Sequence, residues 1–258
     1  MTPLTPLSAR PALAIVLAAG KGTRMKSDLP KVLVPVGGRP MLRYVIDALA
    51  AAAVPRIMVV VGYRAELVRA ELVDLPGVEF ADQTEQLGTG HAVMMCQAAL
   101  AAHQGPVVIV AGDSPMLQSE SVATLLEEFH RRRLACLLGT VTREDPAGYG
   151  RIVRDASGRF TGIVEEKDAT PDQRAIHEVN VSTYVFDSAA LLSALGQLRA
   201  DNSQREYYIT DCPGLLLAAG QRVEALAVLK PCESLSINSV DELAAVEREL
   251  RQRSPRAD

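Results

Sequence analysis

Residues 12–25 read ALAIVLAAGKGTRM, an apolar run that ends in a loop of glycines and cations. The apolar residues 12–19 predict a first buried strand, and the charged loop directly after them favours a strand over a signal peptide. In an open parallel sheet, the loop after the first strand lies at the edge where ligands bind. Glycines let backbone N–H groups approach anionic oxygens, and Lys21 and Arg24 add positive charge. The stretch therefore predicts a parallel α/β sheet with a phosphate-bearing ligand at its carboxyl edge.

Two common phosphate-binding loops do not match these residues. A dinucleotide fingerprint requires glycine at position 25, which is Met25, and a Walker A loop requires Ser or Thr directly after its lysine, where Gly22 stands. Neither an ordinary NAD-dependent dehydrogenase nor a P-loop NTPase is predicted. For the loop taken alone, a glycine turn with incidental surface charges remains the alternative.

The composition is that of a globular protein that can bury a sizeable core: 258 residues, 48% hydrophobic and 22% charged. A formal net charge of −4 gives no electrostatic reason to expect a nucleic-acid or membrane-surface partner. The four cysteines have no C-x-x-C spacing and lie in or beside apolar segments, which predicts reduced thiols and a cytoplasmic location. The four scattered histidines predict no structural metal.

Short apolar runs alternate with helix-length segments along the first half of the chain, which predicts a parallel sheet covered on both faces. The second half adds extended segments, with a hairpin signal at residues 155–158 and a last helix capped by Ser239 and Glu242. Predicted strands are residues 12–19, 57–61, 107–111, 134–141, 150–153, 160–164, 179–186 and 223–228. Predicted helices are residues 40–53, 65–72, 90–102, 121–132, 211–219 and a final one after Ser239.

The same patterns predict one domain over residues 12–250. The patterns divide this domain into a first half, residues 12–120, and a second half, residues 121–250. Residues 1–11, with three prolines, are expected to be a flexible leader, and residues 251–258 a frayed tail.

A second cationic motif, Asp28-Leu29-Pro30-Lys31, follows the glycine loop. Together with the Gly-x-Gly-x-Arg of residues 20–24 it resembles the signature of the sugar-phosphate nucleotidylyltransferases. Within that family the chain is most similar to the uridylyltransferase domains of bacterial bifunctional enzymes that make UDP-N-acetylglucosamine. The resemblance extends from residue 12 to about residue 250, through residues 83–92, 112–113, 148–152, 164–169, 178–180 and 206–211.

The resemblance implies a Rossmann-like nucleotidyltransferase fold: a mixed, mostly parallel central sheet flanked by helices, with a small sugar-binding lobe. Residues 12–120 would be its nucleotide-binding half and residues 121–250 its sugar-binding half. It also implies a set of site residues. Arg24 and Lys31 would neutralise phosphate charge, and we expect both side chains to be exposed in the cleft. Asp113 and Asn238 would hold Mg²⁺. The nucleotide-binding residues would be Ala18, Ala19, Gly20, Gly22, Gln83, Gln86, Gly88 and Thr89, and the sugar-binding residues Tyr149, Gly150, Glu165, Asn180 and Thr210.

The activity implied is the transfer of UMP from UTP to N-acetylglucosamine 1-phosphate. Two alternatives stay open: a uridylyl- or thymidylyltransferase for another sugar, such as glucose 1-phosphate, and a catalytically silent nucleotide-sugar regulator. The sequence also departs from the family pattern, since Val181-Ser182 stands where Thr-Gly usually follows the asparagine. Ala111 stands where tyrosine or serine often precedes the Gly-Asp pair.

No hexapeptide array of the kind that builds a β-helix is present in the sequence. From this we expect no acetyltransferase activity. The oligomeric state stays open.

Overall fold

A computed structural model describes residues 10–22, 28–235, 237 and 240–253. Within these residues, nine strands form one sheet: β1 (Leu13–Ala18), β4 (Arg56–Val61), β5 (Val78–Asp82), β6 (Pro106–Ala111), β7 (Cys136–Thr142), β8 (Gly150–Arg154), β9 (Phe160–Val164), β10 (Glu178–Asp187) and β11 (Val223–Leu226). Seven of them follow the order β11-β7-β10-β6-β1-β4-β5. Two short strands, β2 (Pro35–Val36) and β3 (Arg39–Pro40), pair separately.

The sheet is mostly parallel, with one antiparallel strand near its centre. Strands β4 and β6 pair in parallel with β1 on either side, and β5 pairs in parallel with β4. Strand β10 runs antiparallel between β6 and β7. The first residues of β10 also pair with β8, which forms an antiparallel hairpin with β9. Because β10 is reversed, its beginning lies at the same edge as the carboxyl ends of β1 and β6. The predicted fold class is confirmed.

Helices cover both faces of this sheet, as the continuous apolar strands require. They are α1 (Met41–Ala51), α2 (Ala65–Glu71), α3 (Thr89–Met94), α4 (Gln97–Ala102), α5 (Ser119–Arg132), α6 (Pro171–Arg174), α7 (Ser188–Leu195), α8 (Cys212–Ala218) and α9 (Val240–Arg253). Short 3₁₀ helices lie at Lys31–Leu33, Ile209–Asp211 and Pro231–Ser234. The prediction of one continuous helix over residues 90–102 is wrong, because a turn at Met95 and Cys96 separates α3 from α4.

The interior consists of two large apolar clusters, one on each side of the sheet. Alternate residues of β1 show the division: Ala14 and Val16 pack in one cluster, Leu13 and Ile15 in the other. All four cysteines are buried and none of them forms a disulfide, as the sequence predicts. Within the described part of the chain, no helix is long and apolar enough to cross a membrane.

The last helix extends further than the sequence suggests. Helix α9 continues to Arg253, past residue 251, where we expect the frayed tail to begin. Val246 is buried against a small cluster with Val36 and Met41, and Glu247 accepts a hydrogen bond from the Gly37 N–H at 3.2 Å. These contacts stabilise the helix at its end. The expected cap residue Ser239 lies outside the described residues.

Candidate active site

A cavity of about 670 Å³ opens at the carboxyl ends of β1 and β6. The glycine loop leaves β1 on one side of it, and the residues that follow β6 form the other side. All eight predicted nucleotide-binding residues line this cavity, as do Lys31 and Asp113: Ala18, Ala19, Gly20, Gly22, Gln83, Gln86, Gly88 and Thr89. The topology therefore brings together residues from four separate segments of the sequence.

Two glycines give the loop its shape for different reasons. Gly22 has a φ of +66°, and a Cβ built there would lie 2.5 Å from the Cβ of Lys31, so the loop backbone packs directly on the lysine stem. Gly20 is exposed, and no atom lies within 4 Å of the position its Cβ would take. The backbone at Gly20 is thus open for the close approach of a ligand.

The segment from Gln83 to Gly90 forms the wall facing this loop. Gln83 is buried, and its Nε2 donates to the Gly88 carbonyl at 3.1 Å and lies 3.1 Å from His91 Nδ1. Two main-chain hydrogen bonds clamp the segment to Tyr207: the Tyr207 N–H donates to Leu87 at 2.8 Å, and the Gly90 N–H donates to Tyr207 at 2.7 Å. The amide of Gln83 is therefore held in one orientation at the cavity wall.

Lys31 and Asp113 form an ion pair across the cavity. Their side chains are only 15% and 20% exposed, so the expectation that Lys31 is exposed in the cleft is wrong. The 3₁₀ turn at Lys31–Leu33, which buries Val32 and Leu33, directs the lysine inward, and the residues after β6 present the carboxylate to it. A cation and an anion so placed can accept a phosphate and a metal ion.

A second, smaller cavity of about 230 Å³ adjoins the first and shares Asp113 with it. Four of the predicted sugar-binding residues line it: Tyr149, Gly150, Glu165 and Asn180. A Cβ built on Gly150 would lie 3.6 Å from both the Asn180 Cβ and Glu165 Oε2, so these side chains surround the glycine closely. The cavity combines carboxylate and amide groups, which suits a ligand rich in hydroxyls.

Thr210, the fifth predicted sugar residue, lies behind this cavity and does not line it. Its hydroxyl donates to Glu165 Oε1 at 2.9 Å, and Thr210 itself is buried. Burial raises the pKa of Glu165, and the hydrogen bond from Thr210 opposes that rise. Thr210 thus acts on the cavity through the glutamate carboxylate.

The segment before Asn238 is anchored to the smaller cavity. Tyr149 donates from its hydroxyl to the Ser234 carbonyl at 2.6 Å, and the Ser234 hydroxyl accepts from Arg143 at 2.6 Å. The buried carboxylate of Glu233 accepts hydrogen bonds from the Gln118 N–H and the Ser121 hydroxyl. Asn238 itself lies outside the described residues, as does Arg24.

Several residues that line the cavities are absent from the predicted site, and three of them bear on the wall between the two cavities. Ala111 and Ser182 line both cavities, and Glu206 lines the larger one. The signals were present in the sequence: residues 111 and 182 depart from the family pattern, and Glu206 belongs to a motif that carries the resemblance. The sequence alone does not predict that Ala111 and Ser182 lie together in the wall between the two cavities.

The donor set at the shared wall fits a hard cation that is held mainly by phosphate. Asp113 supplies one carboxylate there, and the part of the chain that is described has no group of three or more His, Cys, Asp or Glu side chains able to hold a metal. Mg²⁺ uses few protein ligands and keeps substrate phosphates and waters. One carboxylate facing a ligand cavity meets that requirement.

Two larger cavities, of about 1030 and 1040 Å³, lie elsewhere. The first is lined by Pro106 at the start of β6 and Asp187 at the end of β10, so it lies at the opposite edge of the sheet. Neither is lined by any described residue of the glycine loop. Size alone therefore does not mark the site.

The model of the MobA-like NTP transferase domain matches residues 14–210. The chain belongs to this family. A bifunctional protein GlmU from Pelotomaculum thermopropionicum is 46% identical over 241 residues, which is 93% of this chain and 52% of the relative. GlmU from Streptococcus agalactiae is 45% identical over 94% of this chain and 52% of its own length. This NTP transferase domain thus spans about half the length of the curated relatives it matches, and the resemblance found from its motifs is confirmed.

Solved structures share the fold of this NTP transferase domain at low sequence identity. A UDP-glucose pyrophosphorylase complexed with UDP-glucose superposes with a TM-score of 0.77 at 16% identity, covering 95% of this chain and 100% of that one. A putative glucose-1-phosphate thymidylyltransferase from Bacillus anthracis gives a TM-score of 0.76 at 18% identity, covering 95% and 97%. These likenesses establish the Rossmann-like architecture.

Proposed function

We propose that this NTP transferase transfers UMP from UTP to N-acetylglucosamine 1-phosphate, releasing pyrophosphate and forming UDP-N-acetylglucosamine. The observation that carries the proposal is the pair of adjoining cavities, which share Asp113 and have Lys31 at their junction. The larger contains the glycine loop and the Gln83 amide, and the smaller contains a carboxylate and an amide. The relatives named GlmU support the choice of nucleotide and sugar.

The larger cavity suits a uridine nucleotide. The two N–H groups of Gln83 Nε2 are directed at the Gly88 carbonyl and at His91 Nδ1, which leaves Oε1 to accept a hydrogen bond from the imide N–H of a uracil edge. The Gln83 amide is fixed by Gly88 and His91, so it meets a base without first losing rotamer freedom. The open backbone at Gly20 would then face the phosphates, where Arg24 is proposed to neutralise the leaving pyrophosphate.

The reaction needs alignment more than proton transfer. An oxygen of the sugar phosphate attacks the α-phosphorus of UTP, and the bond from that phosphorus to the β-phosphate oxygen breaks, so pyrophosphate carries away the electron pair. Because the nucleophile is already ionised at neutral pH, no general base is required. Lys31 holds the phosphate being transferred at the shared wall and offsets its negative charge.

We also propose Mg²⁺ as the cofactor, held by Asp113 and Asn238. When bound there, it would neutralise phosphate charge shared by the two substrates. Lys31 then shifts its contact from the carboxylate of Asp113 to a phosphate oxygen. The four buried cysteines, none of them in a disulfide, support a cytoplasmic location.

The test is pyrophosphate release across a panel of nucleoside triphosphates and sugar 1-phosphates, with Mg²⁺ or with excess EDTA, and with the product mass measured. We expect UTP with N-acetylglucosamine 1-phosphate to give the highest kcat/KM, and EDTA to abolish it. Faster turnover of glucose 1-phosphate or dTTP would replace the substrate assignment. No pyrophosphate release with any pair, together with tight binding of the nucleotide sugar, would instead identify a regulator.

A further inference from the structure

Ser182 has an unusual backbone at the wall between the two cavities. Its φ is +57°, in the left-handed region that L-amino acids other than Asn and Asp rarely adopt. It lies where the pairing of β10 with β7 shifts register, between Asn180 and Tyr184. With Ala111 and Asp113 it lines both the larger and the smaller cavity.

The position of this residue sets it apart from similar ones. In the described part of the chain, the other non-glycine residues with positive φ are Ala53, Arg64, Arg133 and Arg205. None of them lines either cavity. A strained backbone persists where its surroundings hold it, and such residues concentrate at functional sites.

Ser182 belongs to a closed polar network with Asn180. The Ser182 N–H donates to Asn180 Oδ1 at 3.3 Å, and Asn180 Nδ2 donates to the Tyr184 hydroxyl at 2.7 Å. The Ser182 hydroxyl is a second partner of that tyrosine hydroxyl. Residues of β10 therefore hold both the oxygen and the nitrogen of the Asn180 amide, and this buried amide lines the smaller cavity in one orientation.

We propose that Ser182 is a specificity-determining residue that selects the substituent at C2 of the sugar 1-phosphate. The inference rests on the proposed function. The new diphosphate would form at the wall that contains Asp113, and the sugar would occupy the smaller cavity, so its anomeric carbon lies near that wall. C2 is the adjacent carbon, and a side chain in the same wall meets its substituent. Because the Ser182 hydroxyl donates to Tyr184, its oxygen accepts the N–H of a 2-acetamido group, next to the Asn180 amide.

The experiment compares Ser182→Ala and Ser182→Gly with wild type, using UTP with N-acetylglucosamine 1-phosphate or glucose 1-phosphate. Losing one hydroxyl contact should lower kcat/KM for the acetamido sugar by roughly 3- to 10-fold in both variants. The KM for UTP should change less than about 2-fold, and the preference over glucose 1-phosphate should shrink by the same 3- to 10-fold factor. A purely structural role would not separate the two sugars.

Thermal unfolding supplies a second readout with a matched control. Glycine tolerates φ of +57°, a relief that by itself should raise Tm by about 2 to 4 °C, but Ser182→Gly also loses the hydroxyl contact with Tyr184, so its Tm should be no lower than that of wild type. Ala53→Gly, at φ +58° after α1 and away from both cavities, should raise Tm by about 2 to 4 °C and leave kcat/KM for both sugars unchanged. Ser182→Gly would then be as stable as wild type and less selective, which excludes misfolding as the cause of its lower activity.

The outcomes separate this inference from the proposed function. An active wild type whose sugar preference is kept in Ser182→Ala overturns the role of Ser182 and leaves the proposed function intact. A wild type that releases no pyrophosphate with any substrate pair overturns both.

Discussion

Adding one methyl group at Gly88 should lower both the stability of the protein and its affinity for UTP. A Cβ built there would lie 2.6 Å from the Tyr207 carbonyl oxygen and 2.9 Å from the Glu206 Cβ. The backbone also has φ +107° and ψ 174°, a conformation that is essentially restricted to glycine. Gly88→Ala should therefore strain the backbone and push the segment of Glu206 and Tyr207 away from residues 87–90.

The expected cost follows from these contacts. A side chain in this backbone region costs about 1 to 3 kcal/mol. Moving Tyr207 breaks its two main-chain hydrogen bonds, to Leu87 and from Gly90, and each contributes on the order of 1 kcal/mol. The free energy of unfolding should fall by about 3 to 5 kcal/mol, which corresponds to a Tm lowered by roughly 6 to 20 °C.

The matched control is Gly158→Ala in the turn between β8 and β9. Gly158 also has positive φ, +81°, but nothing lies within 4 Å of the position that the added methyl group would take, so this variant adds strain without a clash. Thermal unfolding is measured for both variants with and without UTP. Gly88→Ala should also lose UTP-induced stabilisation, by about 1.4 kcal/mol for a tenfold weaker affinity. Equal Tm losses in the two variants, or an unchanged UTP shift in Gly88→Ala, would refute the reasoning.

Three further predictions concern charged groups. Lys31→Met should lower kcat/KM by about 10²-fold or more, a transition-state cost of roughly 3 kcal/mol, whereas Arg56→Met, which breaks a remote surface pair with Glu79, should keep wild-type kinetics. Burial raises the pKa of Glu165 and Thr210 opposes it, so in Thr210→Val the acid limb of kcat/KM for the sugar phosphate should move to higher pH; an unmoved limb contradicts this. Burial raises the pKa of Glu178, but hydrogen bonds from Arg154 and Thr140 outweigh it and hold that pKa below its ordinary 4.5. The stability that Glu178 contributes should thus be complete above pH 4.5 and disappear as pH falls through the lowered pKa, measured as the Tm difference between wild type and Glu178→Gln.

Most strands lie close to their predicted bounds. The buried apolar strands β1, β4 and β6, the hairpin strands β8 and β9, and β10 each lie within one residue of those bounds at either end. β5 was missed because it is an edge strand, only half-buried, in which Glu79 and Asp82 interrupt the apolar residues. Helix α7 was also missed, although Asp187 caps it with hydrogen bonds to the N–H groups of Ala189 and Ala190, a signal that the sequence contains.

The sequence predicts which residues form the candidate site, but it does not predict which of their side chains contact one another. The family resemblance implies that Lys31, Asp113 and Glu165 are charged groups near ligands, but it does not say which of the site residues contact one another. Lys31 and Asp113 are 82 positions apart in the sequence, and Thr210 and Glu165 are 45 apart. Such contacts depend on the order of strands in the sheet, and a single sequence carries no periodicity that encodes that order.

The direction of β10 explains why two cavities adjoin in this fold. Were β10 parallel to β6, its last residue, Asp187, would lie at the edge that carries the glycine loop. Because it is antiparallel, its first residues lie there instead, and the register shift after Asn180 turns Ser182 into the wall beside Asp113. The smaller cavity is thus built on β10 and its partner hairpin, while the larger cavity is built mainly on β1 and the segments after β5 and β6. Under the proposed function, substitutions at residues 180–182 therefore change which sugar is accepted without rebuilding the larger cavity, which is the separation that the Ser182 variants measure.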